Sequence, residues 1–281
     1  MNLKEALQQG QKLLKEALID SYLIDAELLL LETCKVNKTT LYCNPELELS
    51  KQQYHDFLAL IKLRQKHKPV SKIIGYKEFY SLNFRTNQHT LDPRPDTETL
   101  IDACKTLLSP KKQYSFLEIG TGTGCIIITL LKIFNVSRGT SRDISQEALK
   151  IAALNSQDHH LEDRLILEEN SMFDGLKLKY DLIISNPPYI KKAQLDLLAP
   201  EVKNFDPHLA LYGGIDGLDY YKIIAMEAKT HLTPKGVILL EIGYDQANEV
   251  KELFKQEEYS LIEQYKDLAG HIRCLAFSAK T

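Results

Sequence analysis

Three glycines at alternate positions set the character of this chain. Gly120, Gly122 and Gly124 follow directly on the run Phe116-Leu117-Glu118-Ile119, and a helical pattern over 123–134 comes next. Glycine adopts backbone conformations closed to other residues and lets a ligand approach the main chain. A strand turning through glycines into a helix therefore reads as the opening of a ligand-binding α/β unit. The spacing narrows the ligand. A dinucleotide fingerprint needs glycine at its first, third and sixth positions, and the sixth here is Cys125. The lysine–serine pair of a phosphate-binding loop is also missing. Asp143 closes the next strand, 23 residues after Gly120. An acid at about that distance accepts hydrogen bonds from both ribose hydroxyls of a nucleoside. Adenosine without a pyrophosphate, with Glu118 placed to attract an amino group, describes S-adenosylmethionine.

Segments of strand and helix character alternate from here to the C-terminus. Strands are expected at 114–119, 138–143, 165–168, 180–185 and 236–242, with a final pair near 258–264 and 271–278. Helices fit between most of them, as at 123–134 and 146–157. The fold class is therefore α/β, a mostly parallel doubly wound sheet that binds ligands at the carboxyl ends of its strands. The fourth of these strands, Tyr180-Asp181-Leu182-Ile183-Ile184, runs into Ser185-Asn186-Pro187-Pro188-Tyr189. Two prolines have fixed φ and no N–H, so this loop is stiff and its carbonyls are free to accept. Asn186 adds an uncharged acceptor and Tyr189 an aromatic wall. Such a set suits a planar NH2 group, and in a doubly wound sheet both loops face one cleft.

Residues 1–72 read as a small helical domain. Apolar residues at helical spacing mark helices over 2–18 and 24–34. Ser50-Lys51-Gln52-Gln53 has the form of a capping box that opens a third helix, which must stop before Pro69. The basic stretch that follows (Lys62, Arg64, Lys66, Lys68, Lys72, Lys77) reads as a solvated face ahead of a partner-docking patch. Residues 73–92 suggest a β-hairpin linker turning around Ser81-Leu82-Asn83, and 93–281 form the sheet domain. Pro93-Arg94-Pro95-Asp96-Thr97-Glu98 at its start is a stiff bend with a helix start at Thr97, and its Arg, Thr and Glu leave room for a ligand-facing role.

The net charge of −3 gives no drive toward nucleic acid or anionic membrane. Five scattered cysteines without a C-x-x-C pair favour free thiols in a reducing compartment. The acidic, helix-patterned start is neither a signal nor a transit peptide, and no apolar segment is long enough to span a membrane. A cytoplasmic location is expected. His159-His160, adjacent on a helix, do not share a face, so no metal site is expected.

With both loops in view, the chain resembles the glutamine N5-methyltransferases that modify peptide chain release factors, over essentially its whole length. The matching stretches include Pro93 to Glu98, Glu118 to Cys125, Asp143-Ile144-Ser145, Asn186 to Tyr189, Asp216-Gly217-Leu218 and Glu241-Ile242-Gly243. The resemblance implies a Rossmann-like class I methyltransferase domain joined by the hairpin to a helical domain that recognises substrate. It implies methyl transfer from S-adenosylmethionine, leaving S-adenosylhomocysteine, to the glutamine of a Gly-Gly-Gln motif in class I release factors, in support of translation termination. Cofactor-binding residues implied are Gly120, Thr121, Gly122, Thr123, Gly124, Asp143, Asn186 and, after the third strand, Met172. There Ser171-Met172-Phe173 departs from the carboxylate or Asn followed by an aromatic that the family often has. Asn186, Pro187, Pro188 and Tyr189 are expected to bind the substrate glutamine. Within that set, the Asn186 side chain and the Pro187 carbonyl accept its two N–H bonds, and Tyr189 packs on its stem. A monomer acting on protein rather than nucleic acid is expected. Two rivals stay open: an adenine-N6 methyltransferase, whose target also presents a flat NH2, and a cofactor-dependent binding module without catalysis.

Overall fold

The computed structural model describes residues 1–280, which divide into two compact units. The first comprises Met1–Tyr76 together with Ala199–Phe205. Its helices are α1 (Leu3–Glu16), α2 (Tyr22–Cys34), α3 (Lys38–Cys43), α4 (Lys51–Gln65) and α5 (Val70–Ile74), with the short α9 (Pro200–Phe205) returning much later in the chain. Both longest helices open on reciprocal capping boxes. Asn2 Oδ1 accepts from Glu5 N at 2.9 Å while Glu5 accepts from Asn2 N, and Ser50 and Gln53 exchange the same pair of bonds. Helix α1 buries Leu3, Ala6, Gly10 and Leu14 on one face. The helices of this unit bury one core that includes Leu29, Leu30, Phe57 and Ile61. At Gly10 the approach is close enough that a Cβ would meet the Phe57 ring at 2.5 Å.

The basic stretch is not one solvated face. Lys62, Lys66 and Lys77 are exposed, but Arg64 is only 2% exposed. Its Nε donates to Asp25 at 2.6 Å and its Nη2 donates to Glu201, so burial of this cation is matched by two carboxylates. Helix α3, capped by Asn37 Oδ1 on Thr40 N at 2.8 Å, was not expected, because a six-residue helix is too short to show a period.

The second unit comprises Lys77–Leu198 and Asp206 onward. The hairpin is shorter than expected, β1 (Tyr76–Phe79) and β2 (Leu82–Arg85), because 70–74 is helical and ends at Gly75 with φ 87°. Tyr80 and Ser81, at φ 51° and 62°, make its turn, which falls at Tyr80-Ser81. A single 3-10 turn, Pro95–Thr97, leads into α6 (Glu98–Leu107). Then follow β3 (Ser115–Ile119), α7 (Cys125–Ile133), β4 (Arg138–Asp143), α8 (Gln146–Asp158), β5 (Leu165–Glu169) and β6 (Tyr180–Ser185). The unit closes with α10 (Asp219–Glu227), β7 (Leu232–Glu241), α11 (Ala247–Gln256), β8 (Tyr259–Lys266) and β9 (Ile272–Ala279).

The seven strands form one sheet in the order β5-β4-β3-β6-β7-β9-β8. The first five are mutually parallel, and β9 runs antiparallel to both β7 and β8. Alternate side chains of each central strand enter opposite cores. Phe116, Leu182 and Leu239 face one, and Leu117, Ile183 and Ile238 face the other. From β3 the chain winds outward through β4 and β5, whereas β6 and β7 continue on the other side. The topological switch therefore lies between β3 and β6, where a ligand crevice is expected at the carboxyl ends. No helix among the described residues is long and apolar enough to cross a membrane.

Candidate active site

The parallel register pairs Ile119 with Ser185, the last residues of β3 and β6. The glycine turn and the Asn-Pro-Pro turn thus leave the sheet side by side, and Ser185 Oγ ties them by donating to Ile119 O at 2.7 Å. Above them opens a cavity of about 310 Å³. Gly120, Thr121, Gly122, Thr123, Asp143, Met172, Asn186, Pro187 and Pro188 all line it. Gly124 and Tyr189 do not.

The glycine turn carries φ of 80°, 54° and 77° at its three glycines, the left-handed region that a side chain makes costly. Gly120 N and Thr121 N donate to Arg142 O, and Gly124 N closes the turn on Thr121 O at 2.8 Å. Asn155, fully buried on α8, donates to Thr123 O at 2.8 Å. Each oxygen of Asp143 accepts one backbone N–H at 2.9 Å, from Gly122 and from Ser145. A carboxylate oxygen has a second lone pair, so two acceptor sites are left for a vicinal diol. Met172, at φ 32°, lines the cavity and also packs on the second core. Its segment is held by Arg142, whose two terminal nitrogens donate to Met172 O and Asp174 O at 2.7 Å each.

Glu118 does not line the cavity. It is wholly buried under the turn, where Ser141 Oγ donates to it and in turn contacts Thr121 Oγ1 at 2.7 Å. Burial, the largest effect, pushes its carboxyl up to about 8, and the nearby Asp143 adds to the rise. The side chain braces the turn from beneath through Ser141 and Thr121.

Asn186 donates its Nδ2 to Thr97 Oγ1 at 3.2 Å, which assigns Oδ1 as the atom turned away from Thr97. Pro187 is buried beside it. The chain then bends off the cavity. Ile190 N donates to Leu211 O, Gly213 N donates back to Ile190 O, and Gln246 Nε2 holds Tyr189 O at 3.1 Å. The Tyr189 ring therefore packs against the second core, and burial raises its phenol well above the ordinary range. Arg94 lines the cavity and donates to the buried Asp206 at 2.6 Å.

Arg94 and Thr97 lie in the stiff bend whose residue types allow a ligand-facing role, yet nothing local says that Thr97 receives Asn186 from 89 residues away. Gly213 gives no local signal, and Gln246 stands out only through the resemblance, beside Glu241-Ile242-Gly243. Among the described residues, no group of three or more His, Cys, Asp or Glu is arranged to hold a metal.

Comparison with known proteins agrees with this geometry. Residues 5–75 match the family model for the PrmC N-terminal domain, and 95–203 match the methyltransferase small domain. The release factor glutamine methyltransferase of Agrobacterium fabrum is 37% identical over 272 residues, covering 95% of this chain and 94% of that protein. The bifunctional methyltransferase of Rickettsia felis is 35% identical over 305 residues, covering 99% of this chain but only 58% of its own length. A methyltransferase structure from Pyrococcus furiosus superposes with TM-score 0.53 at 21% identity, over 78% of this chain and 96% of that one, which shows the class I methyltransferase fold. By its 37% identity to the Agrobacterium fabrum protein, over nearly the full length of both, this chain belongs to the release factor glutamine methyltransferase family.

Proposed function

We propose that this chain methylates the side-chain amide nitrogen, N5, of the glutamine in the Gly-Gly-Gln motif of class I peptide chain release factors, using S-adenosylmethionine and thereby supporting translation termination. One observation carries the reading: the glycine turn and the Asn186–Pro188 turn open from adjacent parallel strands onto a single cavity. The residues present fit the cofactor, because Asp143 retains an acceptor on each oxygen for a ribose diol and Met172 offers a soft apolar contact for adenine. When bound, S-adenosylmethionine supplies an electrophilic methyl carbon on a sulfonium.

The chain's own task is to make an amide nitrogen nucleophilic. Conjugation of its lone pair is strong, as the roughly 18–20 kcal/mol barrier to amide rotation indicates. Asn186 Oδ1 and Pro187 O each accept one N–H, which orients the nitrogen and favours a pyramidal geometry. As charge develops on nitrogen, both acceptors gain strength, so the rate comes mainly from position and from fixed dipoles. No general base is assigned, since the nitrogen turns acidic as it is alkylated and can release its proton to water. Tyr189 supports the loop from behind. On this reading the enzyme is a cytoplasmic monomer whose substrate is protein.

Incubation with methyl-labelled cofactor and either a release factor or nucleic acid, followed by peptide mapping, tests the assignment. Label on the Gly-Gly-Gln glutamine is expected. Label on adenine alone would replace the reading by its rival. Asn186→Ala should retain cofactor binding and lose at least about a hundredfold in kcat, and near-normal turnover would remove Asn186 from its role.

A further inference from the structure

Asn186 can serve as an acceptor only if its carboxamide is held one way round. What holds it is Thr97 Oγ1, at 3.2 Å from Nδ2. A hydroxyl that accepts there must send its own proton elsewhere. Thr97 lines the cavity but is only 3% exposed, so a buried protein acceptor is what fixes its hydroxyl whether the cavity is empty or filled. Glu241 ends β7, whose Leu240 pairs with Ser185, so its carboxyl lies beside the Asn186 turn. It is 2% exposed, and its Oε2 has no hydrogen-bond partner in the structure. A buried carboxyl oxygen left unpaired is costly and calls for a function.

Resting on the function proposed above, the geometry points to Glu241 as a positioning residue: its carboxylate accepts a hydrogen bond from the Thr97 hydroxyl, which keeps Thr97 an acceptor for Asn186 Nδ2 and leaves Asn186 Oδ1 for the substrate amide. Burial, the largest effect, pushes the Glu241 carboxyl up to about 7, while Thr97, Arg273 and Asn186 favour its ionised form and Asp96 opposes it. The other titratable groups facing it are Tyr189, Tyr221, Cys125 and Cys274, all raised by burial and so neutral through the neutral range. Charge there is carried by Glu241, by Arg273, and by Asp96 and Asp267, each of which pairs with Arg273 at 3.0 Å. Below its pKa, Glu241 becomes a donor toward Thr97, and the relay loses its terminal acceptor.

The test uses the full chain, a release factor and labelled cofactor, with kcat measured from pH 5.5 to 9 and cofactor affinity by titration. Glu241→Ala is expected to lower kcat about tenfold to a hundredfold, as for a misplaced catalytic group, with the cofactor dissociation constant within about twofold. Glu241→Gln carries a donor as the protonated carboxyl does, so at every pH it should show the lowered kcat that the wild type reaches only below about 7. The wild type should lose kcat on the acid side with a midpoint near 7, and the Gln variant should lack that limb. An unchanged kcat in the Ala variant, or equal loss of rate and cofactor binding in both variants, overturns the proposal and leaves the proposed function standing. A wild type that methylates no glutamine amide overturns both.

Discussion

Gly213→Ala tests whether the acceptor turn works by position. A Cβ at Gly213 would stand 2.6 Å from the Pro188 carbonyl oxygen and 2.7 Å from Tyr189 Cα, whereas ordinary contact begins at 3.4 Å. About 0.8 Å of relief is therefore needed, and every near atom is backbone. Gly213 cannot withdraw, since its N–H is bonded to Ile190 O at 3.0 Å and Ile190 N to Leu211 O at 2.9 Å. Its φ lies outside the left-handed region, so the substitution adds bulk without conformational strain. Pro188 and the adjoining Pro187 carbonyl must shift. A misplacement of about 1 Å can cost on the order of a hundredfold in rate. Overpacking of this kind costs about 1–3 kcal/mol in stability. We expect kcat for release factor methylation to fall about thirtyfold to a hundredfold. The cofactor dissociation constant should stay within about twofold, because the Asp143 bonds are untouched. Stopped-assay kinetics beside a calorimetric cofactor titration and a thermal melt separate these effects. A folded variant with kcat within twofold of the wild type would refute the positional argument.

Three further outcomes follow from the structure. Asp143→Ala should weaken cofactor binding about tenfold to a hundredfold by removing two ribose acceptors, read by titration with S-adenosylhomocysteine, and unaltered affinity would release Asp143 from that role. Glu118 holds its proton to about 8 in the folded chain but loses it near the ordinary carboxyl range when unfolded. Folding thus binds a proton between those values, so stability falls as pH rises from about 5 to 8, by roughly 3–5 kcal/mol from this group. Glu118→Gln should flatten that slope in urea unfolding, and parallel slopes for both proteins would contradict it. Reversing the charge of Lys66 and Lys68 to Glu should raise the KM for the release factor and leave cofactor affinity unchanged. An unaltered KM would clear the basic stretch of any part in docking.

What the sequence made legible and what it hid divide along a physical line. Strands buried on both faces must be apolar along their length, so Phe116 to Ile119 and Tyr180 to Ile184 stood out, and glycine and proline marked the turns that end them. Those signals are local, and they located the lining of the cavity. The supports are not local. Thr97 meets Asn186 across 89 residues, Gln246 meets Tyr189 across 57, and each is an ordinary residue until the fold brings it there. The burial of Glu118 beneath Ser141 is of the same kind, because it depends on β4 pairing with β3. Tyr189 likewise turns inward only because Ile190 is captured by Leu211. Catalysis by position depends on both sets of residues equally. Thr97→Val, which keeps the shape and removes the acceptor behind Asn186, should therefore cost kcat as severely as a change in the acceptor turn itself, though no local pattern ties the residue to Asn186.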